Sequence, residues 1–223
     1  MTGASLRYIR PKLEPGAVDG QLYFFHGPDR PECQIFRQAA DALRDTQKPG
    51  AVLWMTGCRV GRGTSMACIN LASALAEQSR VTLMDLSFGR PALGPRMGLL
   101  DVKGVGSAVR QRRRDPGASF DVYMLGRRLN LVPLEQNTPN DLIYEEAIIS
   151  IVEDLRTNSD LVLIDGPPIS AYADRDALLS LVDGVVIVAG PDDLASGAFE
   201  ATVALSQSVG VAGTFINEGS TDP

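Results

Sequence analysis

The 223-residue sequence is poor in the residues that organise secreted, metal-bound or membrane-spanning chains. Its three cysteines, Cys33, Cys58 and Cys68, show no CxxC spacing, and His26 is the single histidine. A disulfide framework or a zinc site needs ligands paired at short spacing, so neither organises this chain. A reducing, cytoplasmic compartment is the expectation. No apolar run approaches the roughly 20 residues that a membrane-spanning helix requires. The polar start Met1-Thr2-Gly3-Ala4-Ser5 also lacks a signal-peptide core, so direct membrane insertion is not expected and contact with a membrane would need a partner. Cationic charge is scarce too. With 21 Lys and Arg against 27 Asp and Glu the net charge is -6, which argues against a surface devoted to gripping nucleic acid.

What is present is an even mixture, 44% hydrophobic and 22% charged, the balance of an ordinary globular protein. The length suits one domain with a single core. Residues 1–32, rich in proline and glycine without a sustained period, read as an N-terminal arm, 33–218 as the domain and 219–223 as a short tail. Ile35, Phe36, Ala39, Ala40 and Leu43 recur at helical spacing and predict a first helix from Gln34 to Leu43, broken by Lys48-Pro49-Gly50. Short apolar runs predict strands at 51–55, 81–84, 129–132, 161–164, 185–189 and 213–216. Helical patterns lie at 64–78, about 175–182 and about 195–208. Strands that alternate with helices define an α/β class, a P-loop NTPase-like, mostly parallel sheet with helices on both faces, because parallel neighbours need right-handed crossovers. The stretch 94–128 fits this rhythm poorly and reads as a helix and an exposed loop. Its run Arg110, Arg112, Arg113 and Arg114 is expected to be a solvated face.

The first predicted strand runs into Gly57-Cys58-Arg59-Val60-Gly61-Arg62-Gly63-Thr64-Ser65 and then a helix. That is the context a phosphate loop needs: glycines let backbone N–H groups converge, and the helix N-terminus adds positive potential. The consensus ends Gly-Lys-[Ser/Thr], yet here the triplet reads Gly63-Thr64-Ser65. The missing lysine normally spans the β- and γ-phosphates and offsets charge that develops during transfer, so Thr64 should weaken triphosphate binding and, more severely, phosphoryl transfer. Ser65 can still serve magnesium. Arg59 and Arg62 lie in the loop, but a planar guanidinium is no isostere of a buried ammonium. Cys58 sits near a helix N-terminus with no histidine nearby to activate it, so a packed small residue is expected there. Trp54 reads as core and His26 as surface.

Over about residues 34–217 the sequence resembles the bacterial tyrosine kinases and their relatives in the deviant-Walker group that includes the ParA/MinD ATPases. In those kinases the loop reads Pro-Gly-Glu-Gly-Lys-Ser with Asn-Leu-Ala following, and here Val60 to Ser65 precede Asn70-Leu71-Ala72 at the same distance. Their Asp-x-Asp-x-x-Arg-Pro motif is matched by Asp85-Leu86-Ser87-Phe88-Gly89-Arg90-Pro91, with Ser87 for the second acid. A Walker B-like segment appears as Leu161-Val162-Leu163-Ile164-Asp165-Gly166-Pro167-Pro168, followed by Asp174 and Val182-Asp183-Gly184.

The resemblance implies a nucleotide site for ATP or ADP at Gly57, Arg59, Gly61, Arg62, Gly63, Thr64 and Ser65. It implies magnesium at Ser65, Asp85 and Asp165, with Asp85 and Asp165 as the catalytic acids. The family's oligomerisation signature Glu-x-x-Arg-x-x-Arg falls on Gln34, Arg37 and Ala40, so only the middle residue is kept and weak or no self-assembly is expected. The tyrosine-rich tail that such kinases phosphorylate has no counterpart in residues 217–223. The losses together point to a degenerate, non-catalytic partner of an inner-membrane polysaccharide co-polymerase in capsule or exopolysaccharide export. Two alternatives stand beside it: an active kinase or ATPase in which an arginine replaces the lysine, and a ParA/MinD-like positioning ATPase in which Arg59, five residues before Thr64, stands at the signature lysine.

Overall fold

The computed structural model describes residues 6–13, 16–88, 92–139, 146–171 and 175–218. Strands Leu6–Ile9 (β1), Ala51–Gly57 (β2), Val81–Asp85 (β3), Phe120–Met124 (β4), Leu129–Val132 (β5), Leu161–Asp165 (β6), Gly184–Ala189 (β7) and Val211–Ile216 (β8) form one sheet. Its order is β1-β4-β5-β3-β6-β2-β7-β8. Every pairing is parallel except β4 with β5. Strands β2, β3, β6 and β7 are buried along their whole length, which is why their sequences are near-continuous apolar runs rather than alternating ones.

Successive side chains on a strand point to opposite faces, so one sheet feeds two cores. On one face Val52, Trp54, Val162, Ile164, Val185 and Ile187 meet helix Val105–Arg112 (α5) and helix Glu146–Asn158 (α6). On the other, Leu53, Met55, Leu83, Leu163 and Val188 pack under helix Pro31–Thr46 (α2) and helix Thr64–Leu75 (α3). Helix α2 is longer than the sequence predicts because Pro31 stands in its first turn, where its fixed φ and missing N–H cost nothing. Its buried residues Cys33, Phe36, Ala40 and Leu43 form one stripe. Asp183, from the third motif, accepts Val52 N–H at 2.9 Å and Arg156 at 2.6 Å, and so fixes the base of the sheet.

Three features depart from the sequence reading. The N-terminal segment is part of the domain: β1 pairs with β4, and Leu22 is fully buried. Asn70 on α3 ties down the start of the short helix Tyr23–His26 (α1), accepting Tyr23 N–H and donating to the Gln21 carbonyl, both at 2.9 Å. Residues 94–128 hold two helices, Leu93–Arg96 (α4) and α5, and the strand β4. Within the basic run, Arg112 is buried rather than solvated. It pairs with Asp154, donates to Ser150 at 2.5 Å and to the Ala118 carbonyl at 2.8 Å, and lies over the Phe120 ring. Helix α6 was not anticipated, although Ile148, Ile151, Val152 and Leu155 recur at helical spacing and are its buried face.

Candidate functional site

The site forms at the C-terminal edge of the central strands, where ligand sites of open α/β sheets lie. Strand β2 ends at Gly57, the loop turns, and α3 begins at Thr64. Gly57 has no room for a side chain: a Cβ would stand 2.8 Å from both the Arg59 carbonyl and the Thr64 hydroxyl. Gly61 and Gly63 have φ of +87° and +79°, a left-handed backbone that favours glycine. A Cβ on Gly63 would also meet the Asn217 amide at 2.7 Å, and that amide donates to the Arg62 carbonyl at 3.0 Å. The loop is thus pinned from the end of β8.

Both loop arginines are engaged on the side of β7. Helix Arg175–Leu179 (α7) precedes that strand, and helix Pro191–Ala195 (α8) follows it and carries Asp193, which is fully buried. Arg62 meets Asp193 through two guanidinium nitrogens, at 2.6 and 2.9 Å, and reaches Asp192 at 3.4 Å. Arg59 lies 3.3 Å from Asp193 and donates to the Ser196 hydroxyl at 2.7 Å. Burial alone would raise the Asp193 carboxyl, but Arg62, the Gly190 N–H and Arg59 outweigh it and hold it below the usual range.

Asp85 and Asp165 are direct neighbours at the ends of β3 and β6, both fully buried. Burial raises Asp85, and three backbone N–H groups oppose that rise: Ser87 on Oδ1, Ala92 and Leu93 on Oδ2, each at 2.9 Å. Asp85 therefore commits both oxygens to the backbone of the loop after β3. Asp165 is pushed up to about 7, first by burial and then by the Asp85 charge, while the Ser65 and Ser87 hydroxyls pull it back. Its Oδ2 accepts from Ser87 at 3.0 Å, and its Oδ1 is buried without a hydrogen-bond partner among the described residues. Such an orphaned oxygen beside the first turn of α3 fits a divalent cation better than any other feature of the site.

The structure brings together the loop glycines, Thr64, Ser65, Ser87, Asp85 and Asp165. It does not bring Arg37 or Gln34 there. Arg37 is folded back on its own chain, holding Glu77 through Nη2 at 2.7 Å and Nε at 3.0 Å and the Pro28 carbonyl at 2.8 Å, with Phe24 beneath it. Gln34 is exposed and Ala40 fully buried. Cys58 belongs to the core, its thiol raised by burial. Gly89, Arg90, Pro91, Asp174 and the tail 219–223 lie outside the described residues. Asp193 is the residue that sequence reasoning missed. Its signal was the Gly-Pro-Asp-Asp start of a helix immediately after β7.

A glycine-bound loop between a central parallel strand and a helix, facing two acids on neighbouring strands, makes this a P-loop NTPase-like α/β domain. No protein-family model matches the sequence. It is 28% identical over 173 residues to EpsB of Ralstonia solanacearum, named as a candidate tyrosine-protein kinase, across 72% of this chain and 22% of that protein. The chain thus spans about a fifth of the length of that relative. Among solved structures it is similar to the kinase domain of the Escherichia coli tyrosine kinase ETK, with a TM-score of 0.72 at 16% identity, over 100% of this chain and 92% of that one. A ParA family ATPase from Chlorobium tepidum superposes with a TM-score of 0.58 at 18% identity, over 75% of this chain and 72% of that one. The chain is related by sequence and fold to the bacterial tyrosine kinases, with the ParA/MinD-like ATPases as wider fold neighbours.

Proposed function

We propose that this protein is a degenerate bacterial tyrosine-kinase-like domain that keeps a nucleotide-type site without using it for phosphoryl transfer. It would act as a cytoplasmic partner or regulator of an inner-membrane polysaccharide co-polymerase in capsule or exopolysaccharide biosynthesis. The observation that carries the reading is the fate of positive charge in the phosphate loop. Thr64 replaces the lysine, and the loop's two arginines are held by Asp193 and Ser196. A cation that must meet developing charge has to be preorganised toward it, and here the available ones are preorganised elsewhere.

ATP or ADP with magnesium fits the site in part. The loop N–H groups would hold phosphate, with Ser65 and the free Oδ1 of Asp165 on the metal; the metal's contribution, when bound, is to offset phosphate charge. Asp85, with three backbone N–H groups on its two oxygens, supports the shape of the site more than the metal. Favouring retained binding is the orphaned Asp165 oxygen; opposing transfer is the absent lysine. For an arginine-driven kinase, Arg62 would have to leave a buried carboxylate, giving up its two short contacts and leaving only Arg59 at 3.3 Å and the Gly190 N–H to offset that charge. The positioning-ATPase reading rests on the wider fold likeness.

The test is genetic. In the source organism, deletion of the gene should reduce exopolysaccharide output, and both the unmodified gene and an Asp165→Asn variant should restore it. Restoration by the unmodified gene alone would mean that site chemistry is needed, and unchanged output on deletion would remove the polysaccharide assignment.

A further inference from the structure

A cleft of about 430 Å³ opens at the opposite edge of the sheet, beyond the far end of α3. The 12 residues of α3 set it roughly 18 Å from the phosphate loop at 1.5 Å per residue. The cleft is lined by Phe24 and Phe25, by Leu125 after β4 and Leu129 at the start of β5, and by Ala76 just past α3. Both phenylalanines are half-buried. The volume falls in the range of pockets that take ligands or anchoring side chains.

The rim is cationic in a chain whose net charge is -6. Arg127 and Arg128 both project from the turn. Arg128 donates to the Glu77 carbonyl at 2.6 Å and forms no direct ion pair among the described residues, its charge acting at longer range on Asp160, the partner of Arg80. Arg127 is exposed and likewise pairs with no carboxylate among them. The rim's one acid, Glu77, is already matched by Arg37. Two guanidinium groups without a direct carboxylate ion pair among the described residues, Arg127 exposed and Arg128 acting only at a distance on Asp160, thus overlook an apolar slot, whereas the net acidic charge of the chain would repel an acidic partner elsewhere.

We propose that this cleft is a docking site for an acidic peptide segment of a partner protein, one that places an aromatic or branched apolar side chain between Phe24, Phe25 and Leu125 with its carboxylates on Arg127 and Arg128. Apolar anchor and charged rim are the usual division of labour at an interface: the buried side chain supplies affinity, and the charges set selectivity and approach rate. The site is independent of the phosphate loop and stands whether or not nucleotide binds.

The test uses the full chain and immobilised synthetic peptides in which phenylalanine, tryptophan or leucine is flanked on both sides by glutamates, with a matched series carrying lysines instead. Peptides of the glutamate series should bind with a Kd on the order of 10–100 µM, as a small interface allows, and the lysine series should not bind. Arg127→Glu should weaken binding about tenfold or more, since it puts like charge opposite the ligand. Ala76→Trp, which fills the slot without changing charge, should do the same while circular dichroism and melting temperature stay near those of the unmodified chain. Equal binding of both series, no binding of the glutamate series, or indifference to Arg127→Glu would overturn the proposal. Arginine-dependent sedimentation with phosphatidylserine vesicles in place of peptide binding would also overturn it, because the surface would then be a lipid contact.

Discussion

Asp165→Asn should stabilise the protein, and the gain should depend on pH in a defined direction. In the folded chain burial and the neighbouring Asp85 charge move the Asp165 carboxyl from 3.8 to about 7. A raised carboxyl favours the protonated form. Between these two values the folded state therefore holds a proton that the unfolded state has released, and stability falls as pH rises through the window. The full displacement of about 3 pH units corresponds to a ceiling of about 4 kcal/mol at 1.36 kcal/mol per unit. Between pH 5 and pH 7 the stability difference between variant and unmodified chain should grow by roughly 2–3 kcal/mol, then level off above pH 7. For a domain of this size that is a relative shift of about 5–10 °C in melting temperature. Trp54 is the only tryptophan, is 1% exposed and packs against Gly166, so its fluorescence reports urea unfolding next to the substituted residue. A difference that stays flat from pH 5 to 7, or that shrinks, would refute the assignment of Asp165 as a strained, partly protonated acid.

Asp193→Asn should cost about 2–3 kcal/mol in urea titration, less than a wholly buried pair because Arg62 keeps 22% of its side chain exposed, and should speed amide exchange across residues 57–63. Gly57→Ala, which forces a Cβ to within 2.8 Å of two oxygens, should destabilise by about 1–3 kcal/mol. Gly61→Ala meets nothing within 4 Å and should lose only the left-handed backbone preference, about 1 kcal/mol; a smaller loss for Gly57→Ala than for Gly61→Ala would contradict the close packing at Gly57. In sedimentation at micromolar concentration the chain should run as a monomer or weak dimer, because Arg37 is tied to Glu77 and Pro28 within its own chain. A stable ring would show that assembly needs neither Arg37 nor the acid that Gln34 replaces.

The central strands and the loop were readable from sequence because fully buried parallel strands leave unbroken apolar runs and a phosphate loop needs glycines at fixed places. Strands β2, β3, β5 and β6 and the start of α3 lie within a residue or two of the expected bounds. Strand β1 is hard to read because Leu6–Ile9 is a four-residue edge strand with Arg7 and Tyr8 exposed and no buried position, followed closely by Pro11 and Pro15. Strand β4 was hidden by the basic run before it, whose Arg112 looks solvent-facing until Asp154, 42 residues on, pairs with it. The side-chain arrangement was the least legible part. That Arg62 faces Asp193 depends on a contact 131 residues away in the chain. That Asp85 serves the backbone depends on how the loop after β3 folds over it. No local pattern carries either fact.

The phosphate loop lacks a cation placed to meet the charge of phosphoryl transfer, an absence that typically costs on the order of a hundred- to a thousandfold in rate. ATP turnover and phosphotyrosine formation by the unmodified chain with magnesium, run beside Thr64→Lys and Asp165→Asn, decide whether that cation is missed. The unmodified chain should form no phosphotyrosine and show no kinase-like turnover, and Thr64→Lys should bind ATP and ADP more tightly yet still not autophosphorylate. Robust phosphotyrosine on the unmodified chain, abolished by Asp165→Asn, would contradict this expectation and would show that Arg59 or Arg62 leaves Asp193 to take the lysine's place.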